Sequence, residues 1–135
     1  MLQRSLKDFS GEVLCEPGRI LVGSCGALLG EVQYIKETPY RNFLVLNTGM
    51  HHLIRPSLYQ AFHRILSVQE NCARPRKVYD VVGPICESGD YFAKDRPLPK
   101  VKPGDYLALL SAGAYGSVMG SNYNSRPLAA EILVN

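Results

Sequence analysis

Residues 27–37 read ALLGEVQYIKE, and this stretch decides the fold class. Its β-branched and aromatic residues are interrupted by Gly30 and followed by the turn signal Thr38-Pro39, which is typical of a strand. Further candidate strands have the same character, and turn signals at 102–105 and 125–127 separate the later ones. These candidates are residues 20–22, 43–46, 77–85, 106–111 and 129–134.

A single helix is predicted among these strands. Apolar residues recur there at intervals of three and four, and Pro56 stands near the start, where a proline loses no hydrogen bond. The spacing puts Arg55 and Tyr59 on one side of the helix. A set of short strands with one helix predicts a β-sandwich or barrel. The apolar residues are Ile54, Leu58, Ala61, Phe62, Ile65 and Leu66.

The composition is that of one globular domain, since 46% of the 135 residues are hydrophobic and 20% are charged. The net charge of +3 comes from scattered residues with no basic run, so nucleic acid is not an expected partner. No apolar stretch reaches the roughly 18 residues of a membrane span, and the first residues lack a signal-peptide pattern. The expected location is the cytoplasm, away from membranes.

Cysteines and histidines do not suggest a metal site. The four cysteines, at positions 15, 25, 72 and 86, form no C-x-x-C pair, so free thiols are expected. His51 and His52 have no acidic or sulfur-bearing residue at helical or hairpin spacing, and His63 is expected to be structural.

Three segments combine residue types that occur in active sites. Glu16-Pro17-Gly18-Arg19 suits a type II turn, but its glycine and arginine could also hold a phosphate. Residues 83–90 run from an apolar strand into Cys86, Glu87, Ser88 and Asp90; these are either solvated turn residues or part of a site. Residues 113–127 are rich in glycine, tyrosine and small polar residues, and form either a flexible loop or a ligand contact through Tyr115.

The order and the residues of these segments resemble those of the fold-type III pyridoxal-phosphate decarboxylases, and those of the diaminopimelate decarboxylases most of all. EPGR at 16–19 is common to the wider family. The diaminopimelate branch is indicated by GMHHLIRPSLYQAFH at 49–63, VVGPICESGDYFAKDRPLP at 81–99 and SAGAYGSVMGSNYNSRPLAAEILV at 111–134. The family usually has an acidic residue at the position of Asn47 and another pair at His51-His52.

The resemblance implies a two-domain enzyme of which this chain is the C-terminal part. Residues 1–19 would end a (β/α)₈ barrel, and residues 20–135 would form a Greek-key β-sandwich or barrel-like domain with one short helix. None of the six lysines lies in a segment that resembles the barrel strand with the cofactor-binding lysine. The chain is therefore expected to be inactive alone and to need the N-terminal barrel.

The resemblance also implies roles for individual residues around pyridoxal 5'-phosphate. Glu16 would pair with the pyridinium nitrogen, and Gly18 and Arg19 would hold the phosphate. The substrate would be bound by Arg19, Arg55, Tyr59, Glu87 and Tyr115, of which Tyr115 would also touch the cofactor. A free thiol is mostly protonated at neutral pH, so Cys86 is the predicted proton donor. Cys86 and Glu87 would serve the site of the other subunit, which implies a homodimer.

The predicted reaction is the conversion of meso-2,6-diaminopimelate to L-lysine and CO₂, a step of lysine biosynthesis. An alternative is a decarboxylase of the same fold that acts on ornithine, arginine or carboxynorspermidine. Another is a non-catalytic dimerisation or binding domain, and the last is a plain structural β module.

Overall fold

The computed structural model describes residues 6–69 and 74–134, and one six-stranded sheet dominates it. The strand order is β3-β6-β1-β2-β4-β5. All neighbouring pairs are antiparallel except β2 and β4, which run parallel. The strands are β1 (Ala27–Glu37), β2 (Asn42–Leu46), β3 (Ile65–Ser67), β4 (Arg76–Val82), β5 (Tyr91–Pro99) and β6 (Tyr106–Leu110).

The sheet curves until its two edge strands, β3 and β5, lie against each other. Arg96 of β5 donates a hydrogen bond of 3.4 Å from Nη1 to the carbonyl oxygen of His63, just before β3. The result is a nearly closed barrel, which leaves little unpaired edge. The predicted mainly-β, barrel-like domain is thereby confirmed.

The core fills the inside of this barrel. Strands β1, β2, β4 and β6 each contribute side chains with no exposed surface, and β5 contributes Phe92 and Leu98. At about 25 cal/mol per Å² of apolar surface, such burial is the main stabilising contribution to the fold. The fully buried aliphatic residues of the four strands are Val32, Leu44, Leu46, Val81, Leu107 and Leu109.

The predicted helix exists but is much shorter than its apolar pattern. It is α2 (Arg55–Tyr59), and it ends because Gln60 takes a left-handed conformation with φ of 54°. Ile65 and Leu66, assigned to the helix by their spacing, belong to β3 instead. A short apolar run fits both helical and strand periods, so spacing alone could not find this boundary.

Two predicted strands are wrong, and β5 as well as β3 was not predicted. Residues 20–22 lie in the short helix α1 (Arg19–Val22), which continues into a 3₁₀ turn at Gly23–Cys25. Residues 129–134 are exposed and form no strand. Strand β5 escaped prediction because it contains Pro97 and Pro99 and a run of charges, which are tolerated at a sheet edge. No helix in the described residues is long and apolar enough to cross a membrane.

Candidate active site

An arginine and two tyrosines form the centre of the candidate site. The guanidinium carbon of Arg55 lies 5.7 Å from the ring centroid of Tyr59 and 5.6 Å from that of Tyr115. Cations at this distance from an aromatic face are attracted by its quadrupole. Within residues 6–69 and 74–134, Arg55 has no carboxylate partner, so its positive charge is available to a ligand.

Local backbone geometry explains how these three side chains meet. Arg55 and Tyr59 are one helical turn apart on α2, where Pro56 occupies the first turn as predicted. Tyr115 follows β6 and has φ of 57°, a left-handed conformation that is unusual for a bulky residue. Such strain is characteristic of residues held in place for function. With 48% of its surface exposed, the Tyr115 ring is accessible to a ligand.

The turn between β4 and β5, residues 83–90, carries the predicted proton donor and lies beside α2. We call it the Cys86 turn. Its Cys86 thiol is free and exposed. The hydroxyl of Ser57 on α2 donates a hydrogen bond to the carbonyl oxygen of Gly89. The turn is therefore joined to the helix that bears Arg55.

Glu87 extends from this turn towards a second loop, residues 121–127. The Tyr123 hydroxyl lies 3.5 Å from Glu87 Oε2, and the backbone N–H of Gly89 donates to Oε1 at 3.4 Å. These contacts are long and thus weak. No lysine or arginine of the described ranges forms an ion pair with Glu87, so its carboxylate is free to receive a cation.

Two histidines fix the 121–127 loop to the rest of the domain. The backbone N–H of Ser121 donates to the carbonyl oxygen of His51 at 2.8 Å. His52 Nε2 lies 2.9 Å from the carbonyl oxygen of Pro127, and its Nδ1 lies 2.8 Å from the Thr48 hydroxyl. Because a carbonyl only accepts, Nε2 carries the hydrogen. The pair thus has a structural role in positioning Tyr123.

His51 is itself only 2% exposed, and its Nδ1 has no hydrogen-bond partner among the residues that the structure describes. Burial lowers the pKa of His51 to about 4, with smaller contributions from the charges of His52 and Arg126. The ring is neutral at physiological pH and lies beside His52, with 3.7 Å between the ring centroids and 42° between the ring planes.

The Glu16–Arg19 segment lies at the entrance to α1 and is exposed. The backbone N–H of Gly113 donates to the Gly23 carbonyl oxygen at 3.2 Å, so the turn that follows α1 is held two residues before Tyr115. Glu16 and Arg19 form no side-chain hydrogen bond or ion pair with the described part of the chain. The structure therefore joins Arg55, Tyr59, Tyr115 and, through α2, the Cys86 turn, but it does not join Glu16 to them by any such bond.

Comparison with known proteins supplies the family. Residues 14–113 match the family model for the C-terminal sheet domain of pyridoxal-dependent decarboxylases. The chain belongs to this decarboxylase family. It is 47% identical over 134 residues to a diaminopimelate decarboxylase of Aquifex aeolicus, covering 99% of this chain and 32% of that protein. A diaminopimelate decarboxylase of Pseudomonas aeruginosa is 52% identical over 120 residues, which is 89% of this chain and 28% of the relative.

Solved structures of the family agree with this assignment. The diaminopimelate decarboxylase of Helicobacter pylori, solved in complex with L-lysine, is 42% identical with a TM-score of 0.81 and covers 94% of this chain and 31% of that one. A lysine/ornithine decarboxylase of Vibrio vulnificus has a TM-score of 0.83 at 23% identity, which shows the common fold. The chain spans about a third of the length of the curated relatives it matches.

The exposed residues before α1 suit the cofactor of a pyridoxal-dependent decarboxylase. A Cβ atom built on Gly18 would meet nothing within 4 Å, and its φ of −105° is open to any residue. Nothing in the described chain therefore requires glycine at this position, whereas close approach of a phosphate would. The carboxylate of Glu16, the guanidinium of Arg19 and the phenol of Tyr115 are groups of the kind that bind a cationic aromatic ring bearing a phosphate.

Two residues beside the candidate site were assigned no role from the sequence. Asp90 was considered either as a solvated turn residue or as part of a site and was assigned no role, yet it is 4% exposed. Tyr123, which contacts Glu87, stood unremarked in a glycine-rich and tyrosine-rich segment. The sequence signal for a buried Asp90 was its closeness to Gly83 and Gly89, because glycines leave room for a side chain beside the backbone. No group of three or more His, Cys, Asp or Glu residues that could hold a metal occurs in the described ranges.

Proposed function

We propose that this chain is the C-terminal part of a diaminopimelate decarboxylase, which converts meso-2,6-diaminopimelate to L-lysine and CO₂ with pyridoxal 5'-phosphate. The observation that carries the proposal is the presence in this chain of two unsatisfied charges, which a two-fold dimer with shared sites would bring together from different subunits. Arg55 is a cation without an acidic partner, and Glu87 is an anion without a basic one, among residues 6–69 and 74–134. A substrate with an ammonium and a carboxylate at its distal end requires both charges.

The cofactor would be held by residues from two parts of the chain. Glu16 is the proposed partner of the pyridinium nitrogen, Gly18 and Arg19 hold the phosphate, and Tyr115 packs against the ring. When bound, pyridoxal phosphate withdraws electrons from the substrate α carbon so that CO₂ can leave. An anionic Glu16 keeps the ring nitrogen protonated and so maintains this electron withdrawal.

The chain's own residues would then orient the substrate and deliver a proton. Arg55 and Tyr59 bind a substrate carboxylate, with Arg19 and Tyr115 near the reacting end, and Glu87 receives the distal ammonium. Binding at both ends fixes the α carbon relative to the protein. Cys86 Sγ gives its proton to that carbon after CO₂ has left. Its exposure on a turn is compatible with service to a second subunit, as in a homodimer with shared sites.

The cofactor-binding lysine would come from outside this chain. A lysine-bearing N-terminal barrel, to which residues 1–19 would contribute, must supply the Schiff-base link to the cofactor, so the 135 residues alone would be inactive. The proposed location of the enzyme is the cytoplasm. A decarboxylase of ornithine, arginine or carboxynorspermidine would lack a use for Arg55, because those substrates have no carboxylate next to the distal amine.

The direct test is a substrate panel with the purified full-length protein. Release of CO₂ is measured with meso-2,6-diaminopimelate, ornithine, arginine and carboxynorspermidine, each with pyridoxal phosphate. The expected result is at least a 100-fold preference in kcat/KM for diaminopimelate, because the other three substrates have no distal carboxylate and would leave the charge of Arg55 unpaired. Cys86→Ser should lower kcat without a matching rise in KM. Equal rates on ornithine, or an unchanged Cys86→Ser enzyme, would contradict the proposal.

A further inference from the structure

The carboxylate of Asp90 joins two backbone segments that carry the candidate site. Its Oδ1 accepts a hydrogen bond of 2.6 Å from the backbone N–H of Met50, and its Oδ2 accepts one of 2.6 Å from the backbone N–H of Ile85. Met50 leads into α2 with Arg55, whereas Ile85 immediately precedes Cys86. The Asp90 side chain therefore fixes the start of the Cys86 turn against the segment that leads to the substrate-binding helix.

Two glycines make room for this bridge. A Cβ atom at Gly49 would lie 2.7 Å from Oδ1 and 2.9 Å from Oδ2 of Asp90, and one at Gly83 would overlap both oxygens. Real Cβ atoms do not come so close to oxygen, so any larger residue at either position would displace the carboxylate. The pair of glycines shows that the backbone is built around the Asp90 side chain on two sides.

The bridge also closes the Cys86 turn on itself. The backbone N–H of Gly83 donates to the Asp90 carbonyl oxygen at 3.1 Å, and the Asp90 N–H donates to the Glu87 carbonyl oxygen at 3.0 Å. Cys86 and Glu87 thus lie in a turn whose two ends are tied by one residue. Charge-assisted hydrogen bonds to a buried carboxylate are among the stronger polar interactions in proteins.

We infer that Asp90 is a positioning residue of the decarboxylase, which holds the Cys86 thiol and the Glu87 carboxylate at a fixed place in the domain, from which they would serve the site of the second subunit. This inference rests on the proposed function for the roles of Cys86 and Glu87, but the bridge itself does not. Asp90 acts through its neighbours and does not touch the substrate. A shift of about 1 Å in a catalytic group is enough to cost a large part of the rate.

Protonation of Asp90 would weaken the bridge, and the charges around it have opposing effects. Burial raises the pKa of Asp90, while the N–H groups of Met50 and Ile85 and the charge of Arg126 lower it, and Glu87 raises it further. The net shift is upward, so the carboxylate loses its charge at a higher pH than an exposed aspartate does.

The first test uses amide hydrogen exchange of the full-length protein in wild-type and Asp90→Asn forms. The amide nitrogen of asparagine would face one of the two N–H donors, so one hydrogen bond is lost. Exchange in peptides covering residues 49–53 and 84–90 should accelerate at least roughly ten-fold. The matched control is Asp105→Asn, because Asp105 is 3% exposed and accepts from the Lys102 N–H and from Arg74 near the start of β6. It should leave exchange at 84–90 unchanged.

The second test is a kinetic cycle with the same full-length enzyme. Asp90→Asn should lower kcat at least ten-fold in the wild-type background but less than three-fold in a Cys86→Ser background, because a residue that acts through the thiol has little left to affect. Asp105→Asn should lower kcat less than two-fold in both. The inference would be overturned if the loss of kcat in the double variant equalled the product of the two single losses. It would also be overturned if Asp90→Asn and Asp105→Asn lowered kcat equally.

Gly49→Ala provides an independent variant should Asp90→Asn fail to fold. It keeps the carboxylate and displaces it, and it should reproduce the faster exchange at 84–90 and the loss of kcat. Unchanged exchange there would overturn the bridge. If the wild-type protein releases no CO₂ from diaminopimelate, the proposed function fails, whereas the exchange result still decides whether Asp90 holds the turn.

Discussion

Replacing Arg55 by alanine in the full-length protein is expected to raise KM for meso-2,6-diaminopimelate strongly. The Arg55 side chain is half-buried and lies between Tyr59 and Tyr115, at 5.7 and 5.6 Å from their ring centroids. Removing one partner of such a partly desolvated charge pair costs about 2–3 kcal/mol. At 1.4 kcal/mol for each factor of ten, this corresponds to roughly a 30- to 150-fold loss in kcat/KM.

The loss should appear mainly in KM, because a distal carboxylate is bound equally well before and during the reaction. Arg55→Lys should give an intermediate loss, since it keeps the charge but not the two-pronged geometry of the guanidinium. Arg76→Ala is the matched control: Arg76 is exposed on β4, and its Nη2 donates at 2.6 Å to the carbonyl oxygen of Pro97. Steady-state CO₂ release measures all three. A normal KM in Arg55→Ala would refute the assigned role.

Two further predictions concern stability. Lowering the pH from 7 to 5 should reduce the free energy of unfolding by about 2 kcal/mol through His51, because the native ring has a pKa of about 4 and an unfolded histidine titrates near 6.5. Between these values the unfolded state binds more protons, so the free energy of unfolding decreases as the pH is lowered. In denaturant titrations, His51→Gln should lack this part of the pH dependence. The same pH dependence in His51→Gln and wild type would contradict the role of His51. Leu44→Ala, in the fully buried core, should cost about 2–5 kcal/mol, whereas the exposed Leu29→Ala should cost under about 1 kcal/mol; similar midpoints for the two variants would contradict the described core.

Four strands were predictable because their residue composition and the turn signals that flank them indicate the same segments. β1 was found with its exact bounds, Ala27–Glu37, and β2, β4 and β6 were found to within one to three residues at each end. β3 was not predicted, because its three residues continue an apolar pattern that began in α2. The strand assigned to residues 129–134 has suitable residue types, but strand propensity without a pairing partner does not make a strand.

The candidate site was predictable only in part. Arg55 and Tyr59 were placed together from their helical spacing, and their closeness to Tyr115 followed from the family resemblance. Spacing could not predict that Tyr115 has a left-handed backbone or that Asp90 turns inwards to two N–H groups. The bond from Met50 to Asp90 joins residues 40 positions apart, which a local pattern does not contain.

The path of the chain between β2 and β4 affects when the site can form during folding. After β2, the chain builds α2, crosses to pair β3 with β6 at the far edge of the sheet, and only then returns to run β4 parallel to β2. Because β6 is the last strand of the described residues, β3 cannot dock against it until synthesis has passed residue 110. Loop closure over such separations is slow. Assembly of the Arg55 region is therefore expected to be a late event, after nearly all of the domain has left the ribosome.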